Sequence, residues 1–299
     1  MESKELTYPM PPLHKSFLAK FFDLFLVFLL GATFFGLAQI ILPSLPAYAE
    51  AQQRQASLQI ESRLYVESDI GLTRLSDYLD GQDLTRREKC TQYEENLTYF
   101  FVEFLDEEGS VRYKNDKAEA KVEGSSLFQE DGSWAFSSSD YEVHYLDFYE
   151  NEYSNIALGL LHEQGEYKKT NQRKLIFELV SLFVCFSLSH ILLMLVMPLC
   201  FRRGKKTLGL FFAHIGRVGK DALSLTTLRM VLFWLFDFVF LFWGSIVTFL
   251  IPLAISMGMA AFRSDHQSLG EYVIGVHLVD DSEQKIFRNC YEVVEAEQK

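Results

Sequence analysis

Asp237 is the only charged residue in the 33 positions from 230 to 262. A helix over that run would be about 50 Å long, against a bilayer hydrocarbon core of about 30 Å. The run reads as membrane-embedded, with more length than one upright span needs. A carboxylate at that depth has lost most of its hydration, so Asp237 has to face protein, meet a cation, line a wet cavity or take up a proton.

Two more apolar runs, at about 17–43 and 175–201, are each long enough to cross a bilayer, which makes the chain polytopic. Average composition conceals this, because 49% hydrophobic residues is ordinary for a soluble protein. Charge is equally uneven. Positions 44–172 hold 26 Asp and Glu against 12 Lys and Arg, whereas Arg202, Arg203, Lys205, Lys206, Arg217 and Lys220 cluster after the second run. Lys and Arg near span ends set orientation, so the basic cluster and the amino terminus are expected in the cytoplasm and the acidic segment outside. An acidic outer segment argues against nucleic acid as a partner.

The amino-terminal arm, with Pro9, Pro11 and Pro12, is expected to be irregular up to Leu13. Ala47-Tyr48-Ala49 imitates a signal-peptidase site, but the apolar run before it is nearly twice the usual signal length and contains Asp23, so it reads as a retained first span. Residues 44–173 form the one soluble module, and about 130 residues can hold a core of their own. A first-helix extension over 47–59 is expected there, then a hairpin of 97–105 with 110–113 around a turn at 106–109, one or two strands within 134–148, and a helix over 153–172. Four cysteines, Cys90, Cys185, Cys200 and Cys290, make no disulfide framework, and Cys90 reads as a small buried hydrophobe. His144 and His162 stand among carboxylates without a second histidine at metal spacing. After the second span, 202–228 reads as a short interfacial element with a turn at 219–221, and it can pair with a strand-like stretch at 272–279. Gly219-Lys220 imitates a phosphate loop, but His214 and Asp221 break that pattern.

Lys15, Ala19 and Asp23 lie at i, i+4, i+8, on one helical face. Arg229, Phe233 and Asp237 repeat that spacing, and Gly31 and Gly244 follow at similar intervals, so the first and third spans look like weak internal copies. Lys20, three residues before Asp23, offers it another partner. Two readings stay open: an inner-leaflet network of Lys15, Lys20, Asp23, Arg229 and Asp237 that sets helix register, or carboxylates that bind an ion. His190, mid-span beside Ser187 and Ser189, suits an interhelical hydrogen bond or proton relay.

The Lys15/Ala19/Asp23 opening, the segment Gly204-Lys205-Lys206-Thr207-Leu208-Gly209, Arg229 with Asp237, and His266-Gln267-Ser268-Leu269-Gly270-Glu271 followed by Gly275 resemble the RDD family of bacterial membrane proteins. Lys15 stands where that family has Arg, Asp23 matches its first Asp, Glu271 stands where the second Asp is usual, and Val276 replaces a common Thr. The resemblance covers 15–43 and about 175–280, which makes the outer domain an insertion. Most members have no assigned activity, and some are similar to cation/proton antiporters. The resemblance therefore implies that Asp23 binds an ion or proton, with Glu271 as a second carboxylate.

The expected architecture is an α-helical polytopic membrane protein of three or four membrane segments with an inserted extracytoplasmic α+β domain. Its parts are an arm and first transmembrane helix (1–43), the acidic domain (44–173), a second transmembrane helix (174–201), a cytoplasmic interfacial segment (202–228), a third membrane segment that can break near Trp243-Gly244-Ser245 (229–262) and a tail (263–299). The expected function is transport of ions or small solutes across a bacterial cell membrane, as cation/proton exchange through intramembrane carboxylates, with Asp23, Asp237, Glu271 and His190 as ion- or proton-binding candidates and Lys15, Lys20 and Arg229 as charge partners. Expected partners are the lipid bilayer, monovalent cations and protons. The alternative is a membrane anchor that displays the outer domain to a protein partner, a ligand or a second copy. With no nucleophile–base pair, zinc motif or phosphate loop, no enzymatic activity, metal site or cofactor is expected.

Overall fold

The computed structural model describes residues 8–69, 71–105 and 107–297. The chain divides into two compact units, Ile41–Leu179 and the combination of Met1–Ile40 with Val180–Lys299. Three helices are long and apolar enough to cross a membrane: Leu13–Ser44, Gly165–Cys200 and Thr227–Val247. A shorter apolar helix, Ile251–Phe262, follows the third.

Prolines set the ends of the first span. Pro12 directly precedes helix Leu13–Ile41, and its carbonyl accepts from Lys15 N and Ser16 N. At the far end Pro43 lies in a single turn of 3-10 helix, Leu45 is extended as a residue before proline must be, and Pro46 opens the next helix, Pro46–Glu61.

The third apolar run breaks later than the sequence suggests. Helix continues to Val247, and the chain turns at Thr248–Leu250, where Phe249 and Leu250 take left-handed conformations at φ 51° and 68°. The break does not fall at Gly244, where helix geometry is kept. Pro252, which lacks an N–H, is accommodated in the first turn of Ile251–Phe262 and so sets the break just before that helix. Gly244 serves as a packing site, since a Cβ there would lie 3.1 Å from the Val239 carbonyl oxygen and 3.8 Å from Pro252 Cγ.

The chain then returns. Ser256 Oγ accepts from Leu269 N at 3.3 Å, which ties the shorter apolar helix to the start of helix Leu269–Ile274. Strand Ile215–Val218 pairs antiparallel with His277–Asp280, in the register Ile215 with Asp280 and Val218 with His277. The tail thus lies at the same end of this unit as the segment after the second span. The strand-like stretch expected at 272–279 is shorter than its sequence suggests: Ser268 and Glu271 form a capping box, Gly275 ends the helix at φ 71°, and strand begins only at His277.

The Ile41–Leu179 unit is largely helical, with two short hairpins, Tyr65–Ser68 with Gly71–Arg74 and Lys121–Val122 with Ser125–Ser126. The first-helix extension expected over 47–59 is instead a separate helix, Pro46–Glu61, set off by the turn at Leu42–Ser44 and extended Leu45. The hairpin expected at 97–113 is absent. A Thr85/Glu88 capping box starts helix Arg86–Tyr99, which runs on through a wide π-helical stretch, Phe100–Phe104, and Glu107–Glu119 is helical too. Asp106, part of the expected turn, lies outside the described residues. The buried residues Cys90, Tyr93, Leu97, Phe100 and Phe101 follow a helical period, which a window opening at 97 does not reveal. Tyr145, Tyr149 and Tyr153 likewise bury one helical face, so 142–151 is helix, and Trp134 makes only an isolated bridge to Phe128. Burial pushes the Cys90 thiol up to about 12, as suits a structural cysteine.

Candidate functional site

Two polar clusters sit among the apolar helices of the larger unit, and they are built differently. The first centres on Asp23. Its Oδ1 accepts from Gly209 N at 2.7 Å, and its Oδ2 accepts from the Thr207 hydroxyl. Gly209 has to be glycine, because a Cβ there would overlap the Ala19 carbonyl oxygen and reach 3.0 Å from Asp23 Cγ. The i, i+4 spacing of Ala19 and Asp23 therefore makes a notch and a hook on one helical face, and the segment 207–209 docks into both.

The neighbouring charges are paired with protein. Lys15 Nζ lies 2.7 Å from Asp280 Oδ2, and Lys20 Nζ donates to Glu271 at 2.8 Å instead of to Asp23. Glu271 Oε2 also accepts from Ser268 N at 2.8 Å and Ser268 Oγ at 2.7 Å. Burial pushes the Glu271 carboxyl up, but Lys20 and the Ser268 donors outweigh it and hold the group below the ordinary range. The Lys15 ammonium and Ser282 donors hold Asp280 at about 2.

Arg217, on strand Ile215–Val218, completes this cluster and was not legible as a site residue in the sequence. It is buried, its Nη1 donates to the Lys205 carbonyl at 3.1 Å, and its guanidinium carbon lies 5.0 Å from the Phe233 ring centroid. Nε has no partner among the described residues. Burial pulls the guanidinium below its ordinary value, while Asp23, Glu271 and Asp237 act in the opposite direction. The sequence signal was Arg217 itself, which belonged to a basic cluster informative only about orientation.

The second cluster lies between the second and third spans. The His190 ring is buried against Phe238 and Phe242, at centroid distances of 5.3 and 4.8 Å. Trp234 Nε1 lies 3.2 Å from His190 Nδ1, and His190 Nε2 lies 3.3 Å from Asp237 Oδ2. An indole N–H only donates, so Nδ1 accepts and the imidazole proton sits on Nε2, facing Asp237. The result is a directed chain from Trp234 through His190 to Asp237. Asp237 is only partly enclosed, with its side chain 27% exposed, and its Oδ1 has no protein donor among the described residues.

Wide helix geometry accompanies the same pair, and it also occurs at Phe100–Phe104 and Glu152–Ala157 in the other unit. A π-helical stretch, Ile191–Val196, begins directly after His190, and another, Asp237–Trp243, begins at Asp237. Such stretches widen the helix and loosen its hydrogen-bond ladder, and they occur often at functional sites. The interhelical hydrogen bond expected of His190 is the one it accepts from Trp234, and its neighbour Ser189 adds another, its Oγ donating to the Val27 carbonyl at 2.9 Å.

The structure brings the other expected residues together only in part. Arg229 is exposed and makes no ion pair among the described residues, because two helical turns separate it from Asp237. Asp23 and Asp237 share no hydrogen bond but both act on the Arg217 charge. His162 stacks on Tyr167 at 5.3 Å, and His144 lies near Tyr141. Among the described residues, no group of three or more His, Cys, Asp or Glu is placed to hold a metal ion. No family model matches the chain, and no curated protein or solved structure matches it either.

Proposed function

We propose that the chain is a multi-pass, RDD-like protein of the bacterial cell membrane that exchanges protons for a monovalent cation at Asp237, with His190 as the adjoining relay. The observation that carries this reading is the directed chain of Trp234, His190 and Asp237 among apolar spans. A desolvated carboxylate with one oxygen unclaimed by protein can hold either a proton or a cation, and that competition is the minimum an exchanger needs. His190 donates to the ionised form, and Trp234 keeps its proton on the side that faces Asp237. Asp23 is the less suitable ion site, since both its oxygens are committed to Thr207 and Gly209. In this reading the amino terminus and 202–228 are cytoplasmic, and residues 44–173 are an inserted extracytoplasmic domain.

The test is cation-dependent pH change in proteoliposomes containing the full chain. Asp237→Asn and His190→Gln are expected to abolish proton movement, whereas Asp23→Asn protein that still assembles is expected to retain it. Wild-type proton movement by Asp237→Asn would refute the assignment.

A second reading is a membrane anchor that displays the Ile41–Leu179 unit to a partner. It is favoured by that unit's own closed core, in which Tyr93, Tyr145, Tyr149, Tyr153, Phe100 and Phe101 are all fully buried. It predicts that residues 41–179 fold and bind a partner when purified alone, and that wild-type proteoliposomes show no cation-driven proton movement.

A further inference from the structure

The basic residues after the second span do more in the fold than mark its end. Arg202, Arg203 and Lys206 face Lys285 and Arg288 from the tail across an open cleft of about 570 Å³. Two carboxylates, Asp281 and Glu283, also line it. Lys206 is paired with Asp281, and Arg203 and Arg288 share Glu292 at 3.4 and 3.6 Å. Arg202 and Lys285 are exposed and have no carboxylate partner among the described residues.

This arrangement is built from the residues beneath it. Ile286, buried, inserts its Cδ1 against Gly204 and Gly216, where a Cβ on either glycine would collide with it. Directly after Ile286, Phe287 N donates to Tyr8 Oη at 3.3 Å and the Phe287 carbonyl accepts from Ser224 N at 2.9 Å. Lys285 and Arg288 are therefore held opposite Arg202 and Arg203 by a pinned stretch of backbone. Five cations against two carboxylates line the cleft, and an anion there would offset the excess positive charge.

The apolar part of the cleft indicates which anion. Phe201, the residue after span Gly165–Cys200, lines the cleft and stacks at 5.1 Å on Phe211, which also lines it and is 44% exposed. A small soluble anion has no use for exposed phenylalanines at a span end, whereas a phospholipid carries a phosphate and acyl chains together. Basic residues next to a span are also where anionic headgroups concentrate. We propose that this cleft binds the phosphate of an anionic phospholipid between Arg202 and Lys285, with the acyl chains along Phe201 and Phe211. The proposal rests on the reading that Gly165–Cys200 crosses the membrane.

The experiment titrates the detergent-solubilised full chain with phosphatidylglycerol or phosphatidylcholine and counts bound lipid by native mass spectrometry. The Arg202→Gln/Lys285→Gln variant is compared with Arg86→Gln/Arg87→Gln, an equal charge change on the exposed start of helix Arg86–Tyr99. The expected result is preference for phosphatidylglycerol in the wild type, weakened roughly thirtyfold in the first variant, at about 1 kcal/mol per cation near the headgroups, and unchanged in the second. Equal losses in both variants, or unchanged affinity in the first, would overturn the site. Full displacement of the lipid by millimolar inorganic phosphate would also overturn it, by making the cleft a soluble-anion site. Release of the chain from phosphatidylcholine vesicles by alkaline carbonate would overturn the spanning reading and the lipid site together, while retention with any of the preceding negative results overturns the site alone.

Discussion

Replacing Gly209 with alanine tests how the segment after the second span is held to the first. The added Cβ would overlap the Ala19 carbonyl oxygen and come within 2.9 Å of the Ala19 carbonyl carbon and 3.0 Å of Asp23 Cγ. The obstructing atoms are helix backbone and a hydrogen-bonded carboxylate, neither of which can swing aside. The docked segment must withdraw, at an overpacking cost of about 1–3 kcal/mol. Withdrawal stretches the 2.7 Å bond from Gly209 N to Asp23, and a hydrogen bond to a charged group contributes about 1.5–3 kcal/mol. Together these give a loss of roughly 3–6 kcal/mol. At about 2–4 °C per kcal/mol for a larger domain, Tm falls by roughly 6 °C or more. Gly36 is the control, because a Cβ there meets nothing within 4 Å. Gly36→Ala, in the helix that carries Ala19 and Asp23, gains up to about 1 kcal/mol of helix propensity and leaves Tm level or higher. Both are measured on the full chain in mild detergent, by loss of helical circular dichroism on heating. A Gly209→Ala protein that melts with the wild type would refute the docking argument.

Trp234→Phe removes the donor that commits His190 to a single tautomer, so nitrogen NMR of labelled protein should show the Nε2–H form alone in the wild type and a mixture in the variant. Burial, followed by the nearby Asp116 charge, pushes Glu152 up to about 7. Its folded value lies above its unfolded one, so the stability it contributes is full below about 4.3 and is lost as pH rises through about 7; Glu152→Gln should flatten melting of the Ile41–Leu179 unit across that window. Asp280 has the opposite sign: held at about 2 by Lys15 and Ser282, it contributes stability above about 3.9 that disappears as pH falls toward about 2. Asp280→Asn should therefore remove that part of the acid sensitivity, read as Tm against pH.

Which parts of the site were legible depended on whether their partners were close in sequence. Asp237 stood out because one carboxylate in 33 otherwise uncharged positions must find a partner. That the partner is His190, 47 positions earlier, depends on two spans packing at one register. Lys20 shows the limit most clearly: Asp23 is three residues away, yet the ammonium reaches Glu271, 251 positions along the chain. Glu271 was legible in another sense, since Ser268-Leu269-Gly270-Glu271 is the capping-box pattern. Read that way, it identifies a helix start before any ion-binding role.

A one-dimensional pattern was enough to reveal three runs too apolar for water, an acidic segment between the first two, and a short pairing element on either side of the third. Hydrophobicity over about 20 consecutive residues needs no partner to be read, because the bilayer supplies the surroundings. Within residues 44–173 the pattern is weaker, because aromatic residues suit both periods and let helix read as strand. Folding across long separations docks Gly209 at Ala19, buries Arg217 where Asp23, Glu271 and Asp237 act on its charge, and packs Ile286 against Gly204 and Gly216. Each of these depends on the close approach of segments far apart in the chain, where a missing Cβ or one buried charge sets the geometry.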